Sequence, residues 1–169
     1  MPVFTLPLPA TVLVDIVAWG LFHGATGLLA HRLGEHRLHA DGWLLRQRGF
    51  EDGGRWYRRV WHIQRWKDRL PEAGALFAGG VSKRQLPSAD TQGLHRFVRE
   101  TRRAELTHWW AMACGPLFVL WNPPYASAIL IAYGIGINLP FITIQRYNRF
   151  RIQDLIARRA RAAGEPHRG

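Results

Sequence analysis

The run Glu100-Thr101-Arg102-Arg103-Ala104-Glu105-Leu106-Thr107-His108-Trp109-Trp110 sets acids, bases and one histidine against the start of an apolar stretch. Ionisable groups at such a boundary sit where water meets a membrane or a core, and proton transfer can be tuned there. The run holds no Gly or Pro, so it predicts a helix. Steps of about 100° per residue then bring Thr101, Glu105 and His108 to one face. Glu105 stands one turn before His108 and can hold its imidazole in a single tautomer, as a general base requires. The plainer alternative is a helix whose charged end lies in lipid headgroups, with His108 and Trp109 as interfacial anchors.

A second constellation lies near the other end. Asn138, Gln145 and Arg149 are spaced to face one side of a helix within about 40°. A mid-helix Asn in hydrocarbon needs a partner, so this face should look at another helix or a substrate. Two more ionisable groups, Asp15 and His23, interrupt an apolar stretch, where they are costly and functionally suspect. His62 is a secondary candidate. The chain has one cysteine, Cys114, which excludes a disulfide framework and a cysteine-rich metal site. No metal site is expected.

These groups must be positioned by membrane helices. About 20 apolar residues span a bilayer, and Thr11 to Ala30 meets that measure. Its basic residues follow the apolar run, so a permanent anchor is expected over a signal peptide. Gly20, Gly24 and Gly27 would let another helix approach closely. Residues 31–106 form a basic, water-facing lobe in which Arg55 to Asp68 interleaves Trp with Arg, as in a helix lying in the interface plane. Ala73 to Asp90 is rich in Gly, Ser, Pro and Ala, a loop or a lid. A hairpin of two crossings, about 107–144, turns at Asn122-Pro123-Pro124. Residues 145–169 read as a basic amphipathic tail with a disordered end. The expected architecture is therefore one all-α membrane domain of about three transmembrane helices.

Charge sets the orientation. The formal net charge is +11, with 23 Lys and Arg against 12 Asp and Glu, and only Lys67 and Lys83 are lysines. The bases are interleaved with Trp and flanked by apolar runs, which favours an anionic membrane surface or an anionic cosubstrate over nucleic acid. The amino terminus and the Asn-Pro-Pro turn carry no charged side chain, whereas the lobe and the tail do. The positive-inside rule puts the amino terminus outside and both basic regions in the cytoplasm of a multi-pass cell-membrane protein.

Three segments carry a resemblance: Arg55 to Gly74 around Trp66-Lys67-Asp68, the Glu100 to Trp109 run, and Asn138-Leu139-Pro140 through Gln145-Arg146-Tyr147-Asn148-Arg149. Together, and in this order, they resemble the glycosyl-4,4'-diaponeurosporenoate acyltransferase family of staphyloxanthin-type carotenoid biosynthesis. The resemblance implies transfer of a fatty acyl chain to a sugar hydroxyl of a glycosylated carotenoid or related glycolipid. Such a transfer needs a base, oxyanion donors and a grip on the thioester carrier. The expected base is His108, oriented by Glu105. Asn138, Gln145 or Asn148 would donate to the oxyanion or hold the sugar. Arg102, Arg103, Arg146, Arg149 and Arg151 would hold the phosphates of an acyl-CoA cosubstrate, and Trp66 would contact substrate. No bound cofactor is expected, and direct attack is preferred over an acyl-enzyme. A small lipid methyltransferase and a non-catalytic membrane scaffold are the alternatives.

Overall fold

The structure, a computed structural model, describes residues 2–70 and 90–164. Among them it is all-helical, with no strand: α1 spans Leu8–His31, α2 Arg55–Arg59, α3 Thr91–Ala113 and α4 Pro124–Gly164. Short 3-10 segments and turns supply most of the remainder. The chain divides into two compact units, one of residues 1–33 with 104–142 and the other of residues 34–103 with 143–169. Both α3 and α4 contribute to each unit.

The helix ends follow from local chemistry. The Asp90 side chain accepts from the Gly93 backbone N–H at 2.6 Å and so caps the first turn of α3. Asn122-Pro123-Pro124 cannot continue a helix, but Pro124 suits the first position of a new one, where its missing N–H costs nothing. From there α4 runs 41 residues, with Pro140 inside it. At a rise of about 1.5 Å per residue this is roughly 60 Å, twice the hydrocarbon thickness of a bilayer. α1 and α4 are long and apolar enough to cross a membrane.

Several expectations change. The interfacial helix expected from Arg55 to Asp68 stops at Arg59, because His62 takes a left-handed backbone (φ 46°), and 3-10 turns Ile63–Arg65 and Lys67–Arg69 follow. The apolar segment from His108 to Trp121 is not one α-helix. It is the end of α3 and then a 3-10 segment, Gly115–Leu120, with Pro116 at its start. The tail from Gln145 to Gly164 is not a separate helix but a continuation of α4. The expected loop or lid, apart from Asp90, and the expected disordered end beyond Gly164 lie outside the described residues.

In the first unit most polar groups of α1 are answered, the buried Trp19 Nε1 being one that has no hydrogen-bond partner among the described residues. Asp15 accepts from Trp121 Nε1 and Asn122 Nδ2, both at 2.8 Å. His23 Nδ1 and Thr26 Oγ1 bond carbonyls one turn back, those of Trp19 and Phe22. Trp19 packs among Phe22, Phe118 and Tyr133. It also lies flush against Gly134 of α4, where an added Cβ would come within 2.5 Å of Trp19 Cη2. Gly134 is thus the gap that lets α1 and α4 meet.

Gly134→Ala should therefore lower the stability of the detergent-solubilised protein by about 1–3 kcal/mol, the usual cost of overpacking. Trp19→Phe in the same chain should recover most of the loss. The check is the thermal unfolding midpoint of the two variants; an unchanged midpoint for Gly134→Ala would remove this contact from the account.

Candidate active site

His108, on the last turns of α3, is held on two sides. Its ring stacks on Phe141 at a centroid distance of 4.8 Å and an angle of 8°. Its Nδ1 lies 2.9 Å from Asn138 Oδ1. The other end of that amide settles the proton's position. Asn138 Nδ2 donates to the Gly134 carbonyl at 2.9 Å, so Oδ1 must face the histidine. An amide oxygen only accepts, so His108 Nδ1 carries the hydrogen and donates it. In the neutral ring Nε2 then keeps its lone pair, which is the state of a general base. Asn138 is fully buried, 1% exposed, which fixes the amide further.

The group that meets His108 Nδ1 is thus Asn138, whose amide oxygen accepts from the ring and whose nitrogen donates to the Gly134 carbonyl. Glu105 is buried and accepts from Trp109 Nε1 at 3.1 Å. All of these residues belong to the first unit.

The second unit holds the remaining sequence candidates. Arg146 grips the Glu51 carboxylate with two prongs, Nε to Oε1 at 2.6 Å and Nη2 to Oε2 at 2.8 Å. It also donates to the carbonyls of Leu44 and Arg46. Tyr57 and the Arg48 backbone N–H donate to the same carboxylate. Arg102 donates to Asp41 at 2.7 Å and to the carbonyls of Leu38 and His39. Arg149, with no exposure at all, donates to the Leu45 carbonyl at 2.6 Å and lies 3.4 Å from Asp41. Gln153 donates to the other oxygen of Asp41. These three guanidinium groups, expected to hold phosphate, are thus turned inward on protein acceptors.

The other candidates are placed as follows. Arg103 lies 3.4 Å from Glu100 on the same helix. Trp66 donates to the Trp61 carbonyl and packs against the cluster of Tyr57, Ile63, Tyr147 and Phe150. Gln145 is buried, and its Oε1 has no hydrogen-bond partner among the described residues. Asn148 is half-buried. The residues that sequence reasoning passed over are Asp41, Glu51 and Tyr57. Asp41 and Glu51 stand in the Asp41-Gly42 and Glu51-Asp52-Gly53-Gly54 turn signals, and an acid in a turn of so arginine-rich a chain was a usable signal.

Charge pairing sets the proton affinities here. Burial alone would push the Asp41 and Glu51 carboxyls up, but for Asp41 the bonds from Arg102 and Gln153 and the nearby Arg149 charge outweigh it. For Glu51 the bonds from Arg146, Tyr57 and the Arg48 backbone do the same. Both carboxyls end below their ordinary values. Burial, and next to it the Glu51 carboxylate, pushes the Tyr57 phenol far up, so it remains a donor.

A small all-helical protein with two membrane-length helices, a buried arginine–carboxylate lattice and a histidine in a fixed tautomer is defined by these observations. Residues 41–158 match the family model described as glycosyl-4,4'-diaponeurosporenoate acyltransferase. The chain belongs to that family, a family of acyltransferase enzymes. It is 36% identical over 104 residues to the glycosyl-4,4'-diaponeurosporenoate acyltransferase of Staphylococcus haemolyticus, a match covering 62% of this chain and 60% of that protein. It is 30% identical over 118 residues to the proteins of the same name from Staphylococcus aureus strains USA300 and NCTC 8325, covering 70% of each chain. No solved structure matches this chain. Arg102, His108, Asn138, Arg146 and their partners Asp41 and Glu51 all fall in the matched stretch, whereas α1 precedes it.

Glu51→Gln tests the lattice. Removing one charge of a buried pair should destabilise the second unit by about 3 kcal/mol at neutral pH. The folded Glu51 carboxyl titrates below its unfolded value of 4.5, so its stabilisation is complete above that pH and is lost as pH falls through the folded value. The gap in unfolding midpoint between the parent protein and Glu51→Gln should therefore hold from about pH 7 down to 4.5 and narrow as pH falls further. A gap that stays constant with pH would show that the Glu51 charge is not the source.

Proposed function

We propose that the protein moves a fatty acyl chain from an activated thioester, acyl-CoA being the expected donor, to a sugar hydroxyl of a glycosylated carotenoid or related glycolipid. What supports the reading is the hydrogen-bond relay from the Gly134 carbonyl through Asn138 to His108 Nδ1, together with the family membership. His108 Nε2 takes the proton of the acceptor hydroxyl as its oxygen attacks the thioester carbonyl. The C–O bond forms, the C–S bond breaks, and the carrier leaves as a thiolate that takes the proton back from the imidazolium. Phe141 stacking keeps the ring in plane throughout. Glu105 is a buried carboxyl group one turn from His108 in sequence. Gln145 and Asn148 are candidates for contact with the sugar or oxyanion.

The protein sits in the cell membrane with three crossings: α1, the segment from about residue 107 through the 3-10 turn to Trp121, and the first half of α4. The two apolar helices support membrane association. The charge distribution supports an external amino terminus and cytoplasmic basic regions. A reporter fused after Gly164 should read cytoplasmic and one at Met1 external. A cytoplasmic reading at Met1 would sink this topology.

General-base catalysis is worth roughly 10²–10⁴-fold, so His108→Ala should cost about that much in turnover with insertion unchanged. His108→Gln should be nearly as inactive, since an amide cannot take the proton. Asn138→Leu suits an apolar surrounding and should also insert normally, yet it frees the ring to choose its tautomer and should lower kcat by about tenfold or more while KM moves little. The assay is transfer from a labelled acyl donor in membranes, normalised to inserted protein. Retention of most activity by His108→Gln would make His108 an anchor and move the base to His23 or His62.

A further inference from the structure

Two groups of arginines in the second unit stand in contrast. Arg102, Arg146 and Arg149 are buried and answered. Arg55, Arg58, Arg59, Arg151 and Arg158 instead line two adjoining clefts of about 700 and about 640 Å³, which share Asp52, Arg55 and Arg58. Only two carboxylates stand among these five guanidinium groups. Asp52 takes Arg55 at 2.6 and 2.9 Å, and Asp154 takes Arg158 at 2.8 Å. Arg58, Arg59 and Arg151 have no carboxylate within ion-pair distance among the described residues. Arg151 donates to the neutral Tyr147 hydroxyl at 3.1 Å and lies over its ring, which leaves its charge unanswered.

The cleft has a fixed rim. Asp52, Gly53 and Gly54 are three successive residues with left-handed backbones, φ 48°, 60° and 89°. Asp52 is the costly one, since a side chain rarely takes that conformation, and such strain persists only where surroundings over-determine it. Here they do: Gly54 lies so close to α4 that a Cβ would come within 3.3 Å of the Tyr147 carbonyl oxygen. The turn launches α2, which carries Arg55, Arg58 and Arg59 into the cleft.

Two sources of phosphate could meet this surplus, a lipid headgroup or a water-borne carrier, and the lining separates them. A surface that lies on lipid mixes its bases with apolar side chains that insert. The first cleft is lined by Asp52, Arg55, Arg58, Arg59 and Gln64 without an apolar side chain, whereas the second adds Tyr147, Phe150 and Ala157, so the first is the candidate site. It is an open surface concavity that a phosphate-bearing group can reach from water, and guanidinium forks match phosphate oxygens in pairs. We propose that this arginine cleft binds the phosphate groups of a nucleotide-type acyl carrier such as coenzyme A, the handle of the acyl donor. The assignment rests on the acyltransferase reading above and moves the carrier from the buried arginines to the exposed ones.

The test uses the full-length protein in detergent and the double variant Arg58→Gln/Arg59→Gln, whose side chains are exposed and whose fold is checked by circular dichroism. With acyl-CoA as donor, KM should rise about tenfold per lost contact while kcat stays within about twofold. With acyl-pantetheine, which has no phosphate, parent and variant should have the same KM. An equal change with both donors, or none with acyl-CoA, overturns the proposal. So does a variant that loses only its binding to phosphatidylglycerol vesicles, because the cleft then serves a headgroup. Calorimetric titration with coenzyme A alone separates this proposal from the one it rests on. Binding that weakens in the variant keeps the cleft even if no acyl transfer is found, and transfer without such binding keeps the enzyme and removes the cleft.

Discussion

Irregular chain must find donors for its carbonyls, and in the second unit arginine supplies them. Residues 34–48 form little regular helix, so their backbone oxygens lack the ladder that a helix would give. Arg102 of α3 serves the oxygens of Leu38 and His39, while Arg146 and Arg149 of α4 serve those of Leu44, Arg46 and Leu45. A guanidinium has five donors in a rigid fork, so one side chain can serve several carbonyls and still pair with a carboxylate. Asp41 and Glu51 complete the pairing and offset much of the cost of burying three cations. Lysine could not replace them, since its point charge lacks the planar reach.

The first unit meets the opposite problem, polar groups in apolar surroundings. Its solution is local for most of them: Thr11, His23, Thr26 and Ser127 bond carbonyls of their own helix or its approach. Asp15 is answered by Trp121 and Asn122, which joins α1 to the turn before α4. Asn138 and His108 differ, because each answers the other across 30 residues of sequence. Such a pair is a functional suspect, since a packing role would be met by apolar side chains at lower cost.

Much of this was legible in the residues. The absence of Gly and Pro from Glu100 to Trp110 gave a helix, and the all-helical class and the two long apolar segments followed from length and hydropathy. The resemblance carried by Glu100 to Trp109 and Gln145 to Arg149 led to the right family. Less legible was anything set by pairing across the chain. Periodicity places Glu105 beside His108 but cannot see Asn138, whose partner lies on another helix. Arginine type suggested phosphate for Arg102, Arg146 and Arg149, but it could not show that they are buried against Asp41 and Glu51. Aromatic–basic interleaving suggested one helix from Arg55, but a left-handed His62 is a tertiary outcome that propensity does not encode.

Gly134 shows why backbone and site cannot be separated in the first unit. Its missing side chain admits Trp19 of α1, and its carbonyl, one turn before Asn138, receives the amide that sets the His108 tautomer. Pro140, two residues beyond Asn138, has no N–H to give to the oxygen of Gly136, so the ladder lacks one bond in the same stretch of α4. The close packing of α1 on α4 and the hydrogen bond that fixes the His108 ring thus depend on the same short segment of α4.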